Sequence, residues 1–126
     1  MTDKELLELA AKAAGVRVPP LNAFPWHGID NGGIWTNISA VGHLEPKNRK
    51  YTWAPLTDDG AALRLAVKLK MVIDTDYNGG AVAGNASIDI DDPEYGYQEG
   101  MGKKDLYAAT RRAIVRAAAE IGKGMI

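Results

Sequence analysis

The sequence predicts a small α/β fold, about four mostly antiparallel strands with three helices packed against them. Three observations predict it. The chain begins and ends on capped amphipathic helical segments, and a third helical pattern lies midway. Between them run alternating apolar and polar segments broken by glycine-rich turns, the mark of strands. Neither kind of element can bury its apolar face alone, and packing helices against a sheet of roughly four strands is the economical solution.

Each element follows from its residues. The first helix runs from Thr2 to Ala14, with Thr2 and Glu5 at capping-box spacing and Gly15 as the left-handed stop. Leu6, Leu7, Leu9, Ala10, Ala13 and Ala14 form its apolar face. Val16-Arg17-Val18 reads as a short strand ended by Pro19-Pro20. The turn-rich stretch that follows, up to Gly33, carries Phe24, Trp26 and His27. Ile34 to Val41 alternates as a strand, with Ile34, Thr36, Ile38 and Ala40 on one side. Gly42 to Lys50 reads as a polar connection, its basic residues Lys47, Arg49 and Lys50 solvated.

The second helix follows Trp53-Ala-Pro-Leu, with Thr57 or Asp58 as N-cap and acidic residues at the positive end of the dipole. Its wide apolar arc, through Ala62, Leu63, Leu65, Ala66, Val67 and Leu69, predicts cover on more than one side. A hairpin comes next: Met71 to Tyr77, a turn at Asn78-Gly79-Gly80, then Ala81 to Asp91. The expected register puts Ile73, Thr75 and Tyr77 on one face with Val82, Ala86, Ile88 and Ile90. The other face then gathers Asp74, Asp76, Asp89 and Asp91, read as the wet side of the sheet and not as a metal site. Residues 92–104 read as a loop. The last helix spans 105–122, with Leu106, Thr110, Ile114, Ala117 and Ile121 as its buried centre. Arg112, Arg116 and Glu120 fall on the solvated side, and Ala108, Val115 and Ala119 form an outer apolar strip suited to self-association.

Three segments together resemble the phage ABA-sandwich family of small phage and prophage proteins. They are Met-Thr-Asp-Lys-Glu-Leu-Leu-Glu-Leu-Ala-Ala-Lys-Ala-Ala-Gly at 1–15, Trp-Ala-Pro-Leu-Thr-Asp-Asp-Gly-Ala-Ala-Leu-Arg-Leu-Ala-Val-Lys-Leu at 53–69, and the closing helix at 105–122. The layout is similar, more distantly, to the NinX-like phage proteins. The resemblance implies an α-β-α sandwich and a phage accessory role, and it implies no established activity, cofactor or catalytic residue. Segment 20–50 departs from the family pattern in length and aromatic content.

Composition narrows the function classes. The 126 residues suit one domain, 1–126, with 46% hydrophobic and 25% charged residues, an ordinary globular balance. A formal net charge of −1 gives no global field toward nucleic acid or anionic lipid. The absence of cysteine removes disulfides and thiol chemistry and suits a reducing compartment, the host cytoplasm under the family resemblance. No stretch is apolar and long enough to predict a membrane span or a secretory leader.

The densest set of functional side chains lies at 24–37. Trp26 and Trp35 offer stacking surfaces, His27 an imidazole, and Asp30, Asn31 and Asn37 polar groups able to read hydroxyls or base edges. Arg111, at the edge of the last helix, can clamp a phosphate or carboxylate with its planar fork. The expectation is a non-enzymatic binder that sequesters a small anionic, nucleotide-like molecule such as a host immune signal. It needs neither cofactor nor metal and works as a homodimer or higher homo-oligomer. The alternatives are a protein–protein inhibitor of a host factor using the same aromatic loop, or a minimal hydrolase with His27 oriented by Asp30.

Overall fold

A computed structural model describes residues 2–18, 27–38, 48–77, 80–84 and 106–125. The element order is α1 (Asp3–Ala14), β1 (His27–Asp30), β2 (Gly33–Asn37), β3 (Arg49–Trp53), α2 (Asp59–Lys68), β4 (Val72–Tyr77), β5 (Gly80–Gly84) and α3 (Leu106–Lys123). Among the described residues the fold is α/β with three helices, as the pattern predicts. The strands among the described residues number five rather than about four. They form two antiparallel sheets, β1-β2-β3 and β4-β5.

The helix ends follow local chemistry. In α1 the Thr2 hydroxyl accepts from the Glu5 N–H at 3.1 Å, and the Glu5 carboxylate accepts from the Thr2 N–H at 3.2 Å. Both free donors are thereby satisfied reciprocally. Gly15 ends the helix at φ 72°, a conformation that costs a glycine nothing. The chain beyond it does not form the expected strand at 16–18. Val16 instead donates its N–H back to the Ala11 carbonyl at 2.8 Å, and Val16 and Val18 pack against the core without sheet partners. Asp58 caps α2, its carboxylate accepting from the Gly60 N–H.

α3 is the hub. It packs along α1, against α2, and against β5 and β4. That explains a correction to its predicted face. Val115 and Ala119, expected on an outer strip, are buried in the core with Ala113, Ile114, Ala117 and Ala118, while Leu106 is exposed. A helix contacted from several sides has no single apolar stripe. Opposite it, Leu6 and Leu7 of α1 are fully buried. Each such leucine contributes about 1.5–3 kcal/mol of transfer free energy. The two helices approach so closely that a Cβ on Gly122 would overlap the Leu9 carbonyl oxygen. Arg112 reaches across to Asp3 at 3.1 Å, and Lys12 donates to the Met125 carbonyl at 2.8 Å.

The first sheet holds two strands that the sequence pattern hid. β1 and β2 pair as a hairpin around Asn31-Gly32, with Asp30 opposite Gly33 and His27 opposite Thr36. β3 begins at the end of the Gly42 to Lys50 segment expected to be a polar connection and runs on to Trp53, where no strand was expected; its central residues Lys50, Tyr51 and Thr52 are exposed, so it carries no apolar alternation. β2 stops at Asn37, short of the expected Val41, and residues 39–41 lie outside the described set. A register irregularity follows Ile34, which pairs with Trp53 while Trp35 pairs with Tyr51. Gly33, at φ 128°, passes so near the Trp53 carbonyl that no side chain fits there.

In the second sheet Ile73 pairs with Ala83 and Asp74 with Val82. The expected register is therefore off by one, and the inner face joins Ile73 to the buried Ala81 and Ala83. The predicted contributions of Ala86, Ile88, Ile90, Asp89 and Asp91 lie outside the described residues, as does the 92–104 loop. Among the described residues no helix is long and apolar enough to cross a membrane.

Candidate functional site

A cavity of about 500 Å³ opens between α2, β4 and the first turns of α3. Its size falls within the roughly 300–1,000 Å³ range of small-molecule sites. The sequence builds it in three steps. α2 turns Ala61, Ala62, Leu65 and Ala66 inward, and the small Ala62 leaves space at the wall. β4 presents Ile73 and Thr75 from alternate positions, so both fall on one face. α3 contributes Leu106, Tyr107, Thr110, Arg111 and Ile114, spaced to lie along one side of the helix. Leu63 and Tyr107, 60% and 73% exposed, also line it.

Polar groups are few, and most are already engaged. The Thr110 hydroxyl donates to its own helix at the Leu106 carbonyl, 2.7 Å away. Arg111 is the one cation among the described lining residues, and its side chain is only 16% exposed. Its Nε donates to the Leu56 carbonyl at 2.9 Å, and its Nη1 meets the Asp59 carboxylate at 2.6 Å. Those contacts use two of the five N–H groups of a guanidinium. Asp59 sits in the first turn of α2 and is 67% exposed. The Leu56 bond thus fixes the arginine on the protein side, and the Asp59 pair holds it from the solvent side.

The residues expected from the sequence fall into a different place. Arg111 lines the cavity, and none of the described residues 27–37 does. Trp26 lies outside the described residues. Trp35 is 8% exposed, with the Arg49 guanidinium 4.2 Å above its ring, so no face is open for a stacking ligand. Gly28 lies against the indole, where a Cβ would come within 2.9 Å of the ring. Asp30 is engaged on both oxygens. Oδ2 accepts from Arg49 Nη1 and from the Tyr51 hydroxyl, each at 2.9 Å, and Oδ1 accepts from the Gly32 N–H at 2.8 Å.

Burial and the bond to Asp30 together push the Tyr51 phenol above its ordinary value, so it stays a neutral donor. Asn31 accepts from the Lys4 N–H at 3.1 Å, tying the hairpin turn to the start of α1. Asn37 is buried on β2, opposite Arg49. His27 begins β1, and its Nδ1 is buried without a hydrogen-bond partner, as are Trp35 Nε1 and Arg49 Nε. The His27–Asp30 dyad of an oriented base is not formed, because residues three apart on a strand point to opposite faces. Arg49, expected in a solvated basic run, is the residue that organises this polar face.

No protein-family model matches the chain, and no curated protein or solved structure is significantly similar to it.

Proposed function

We propose that this protein is a non-catalytic binder of a small anionic molecule with an apolar body, held in the cavity between α2, β4 and α3. The observation that supports this reading is the cavity itself: walls of Ala62, Ile73, Leu106 and Ile114, and a pre-positioned cation, Arg111, the one cation among the described lining residues. An apolar pocket with one convergent charged group is the usual form of a small-ligand site. The apolar wall supplies the affinity and the arginine fork fixes orientation. Within the cavity Thr75, Thr110 and Tyr107 offer hydroxyls, and among the described residues no histidine lines it, so the arrangement favours holding over turnover. In the phage setting that the ABA-sandwich resemblance implies, such a protein sequesters a host small molecule stoichiometrically in the host cytoplasm, in place of the aromatic-loop capture expected from the sequence.

The test uses two dyes of nearly equal apolar body. 1-Anilinonaphthalene-8-sulfonate carries an anion, and N-phenyl-1-naphthylamine does not. Hydrogen bonds to a charged group contribute about 1.5–3 kcal/mol, so the sulfonate binds about tenfold or more tighter. Thr110→Trp, which fills the cavity, abolishes binding of both. If the two dyes bind equally, or if Thr110→Trp binds them as well as the parent protein does, the reading fails.

A second reading, a protein–protein inhibitor, draws support from exposed Leu63, Val67 and Tyr107, since Leu63 and Val67 share one face of α2. It requires a partner protein to protect these residues while the dyes show no specific site.

A further inference from the structure

We propose that Asp59 is the charge-selectivity residue of this cavity, an intramolecular stand-in for the ligand's anion that restricts the site to ligands carrying a single negative charge on an apolar body, such as an organic monocarboxylate or monosulfonate. The inference rests on the binding reading above and deepens it. Three observations carry it.

First, the two charges at the cavity sit on one another: Arg111 Nη1 and the Asp59 carboxylate are 2.6 Å apart, and both residues line the space. Secondly, the two sides of the pair are unequally held. Arg111 is mostly buried and fixed by its Nε bond to the Leu56 carbonyl, while Asp59 is two-thirds exposed and pairs with Arg111 from the solvent side. An exposed carboxylate leaves such a pair at small cost, because exposed ion pairs contribute little and water resolvates the anion. The arginine therefore stays and the aspartate exchanges.

Thirdly, among the described residues the lining charges sum to zero: one arginine and one aspartate contribute, and the other described lining residues are neutral. An incoming anion replaces Asp59 at the fork but still lies within a few ångströms of it. One charge is matched by Arg111. A second finds no further cation among the described lining residues and is repelled by Asp59. A polyphosphate or a phosphomonoester dianion is thus disfavoured, although a nucleobase would suit the apolar wall. The pocket selects by adding repulsion against the wrong ligand as well as attraction for the right one.

The experiment compares the parent protein with Asp59→Asn, which keeps the side-chain size and removes the charge. Displacement of bound 1-anilinonaphthalene-8-sulfonate is measured with naphthalene-1-sulfonate and with 1-naphthyl phosphate at about pH 8, where the phosphate is dianionic. In the parent protein the monoanion displaces the dye more effectively. Asp59→Asn tightens the monoanion by about two- to five-fold, the range an exposed pair allows. It tightens the dianion by more, so discrimination narrows. Unchanged affinities for both acids, or an unchanged ratio between them, overturn the inference while leaving the binding reading intact. Failure of the dye to bind the parent protein at all defeats the binding reading instead. Asp59→Glu, which restores the charge on a longer arm, returns the discrimination toward the parent and separates charge from any change in α2.

Discussion

Replacing Arg111 with methionine removes the polar part of one residue that does two jobs, holding the start of α2 onto α3 and supplying the cavity's cation. Methionine keeps an unbranched apolar stem, so the packing contribution is largely conserved. The bond from Nε to the Leu56 carbonyl, 2.9 Å long and mostly shielded, is charge-assisted and contributes about 1.5–3 kcal/mol. The pair with Asp59 contributes little, about 0–1 kcal/mol, because the carboxylate is two-thirds exposed. The expected loss is about 2–3 kcal/mol, most of it from the Leu56 bond. For a domain of this size that lowers Tm by about 6–12 °C.

Urea denaturation of Arg111→Met, Asp59→Asn and the double variant separates the two contributions. The account expects a large effect from Arg111→Met, a small one from Asp59→Asn, and a coupling below about 1 kcal/mol. An Arg111→Met protein within about 0.5 kcal/mol of the parent would refute the claim that this arginine anchors α2. So would an Asp59→Asn effect as large as that of Arg111→Met.

Three further outcomes follow from the same geometry. Gly122→Ala drives a methyl group into the Leu9 carbonyl, backbone against backbone, and costs about 1–3 kcal/mol by urea denaturation even though alanine favours helix; a stabilised variant would show that the α1–α3 approach is looser than described. The Glu5 carboxyl is held below its ordinary 4.5 by the backbone and hydroxyl bonds of Thr2. Its stability contribution is therefore complete above that value and disappears as pH falls through the lowered one, so the difference between the parent and Glu5→Gln is full at neutral pH and shrinks on acidification below 4.5; a difference independent of pH contradicts the capping box. Asp30→Asn sets an amide against Arg49 and Tyr51 and costs about 1–2 kcal/mol at this half-exposed site, with dye affinity unchanged; a parallel loss of dye binding would return the ligand site to the first sheet.

The three helices were legible because their signals are local. Thr2 with Glu5, Gly15 and Asp58 each specify an end within a few residues, and the apolar spacing of α1 needs no tertiary knowledge. The strands were harder. Asn31-Gly32 carries the same hairpin chemistry as Asn78-Gly79, but the short flanking runs, one of them opening with His27-Gly28, concealed β1. β3 reads as polar because its middle residues face solvent, and only pairing with β2 identifies it. Val115 and Ala119 were misplaced because a helix wheel assumes one buried face, whereas α3 is covered on several. The cavity was hidden for a plainer reason: its walls come from segments far apart in sequence. The edge position of Arg111 on its helix was the one legible sign. The indoles and carboxylate at 24–37 drew attention by their chemistry, yet Trp35 and Asp30 spend that chemistry on Arg49, Tyr51 and Gly32.

Backbone amide NMR of the full chain, titrated with 1-anilinonaphthalene-8-sulfonate, tests the central claim most directly. Saturable shifts concentrated at Ala62, Ile73, Thr75, Thr110 and Ile114 are the predicted result, since these residues line the cavity from all three elements. Shifts confined to 27–37, or shifts spread over the surface without saturation, would contradict it.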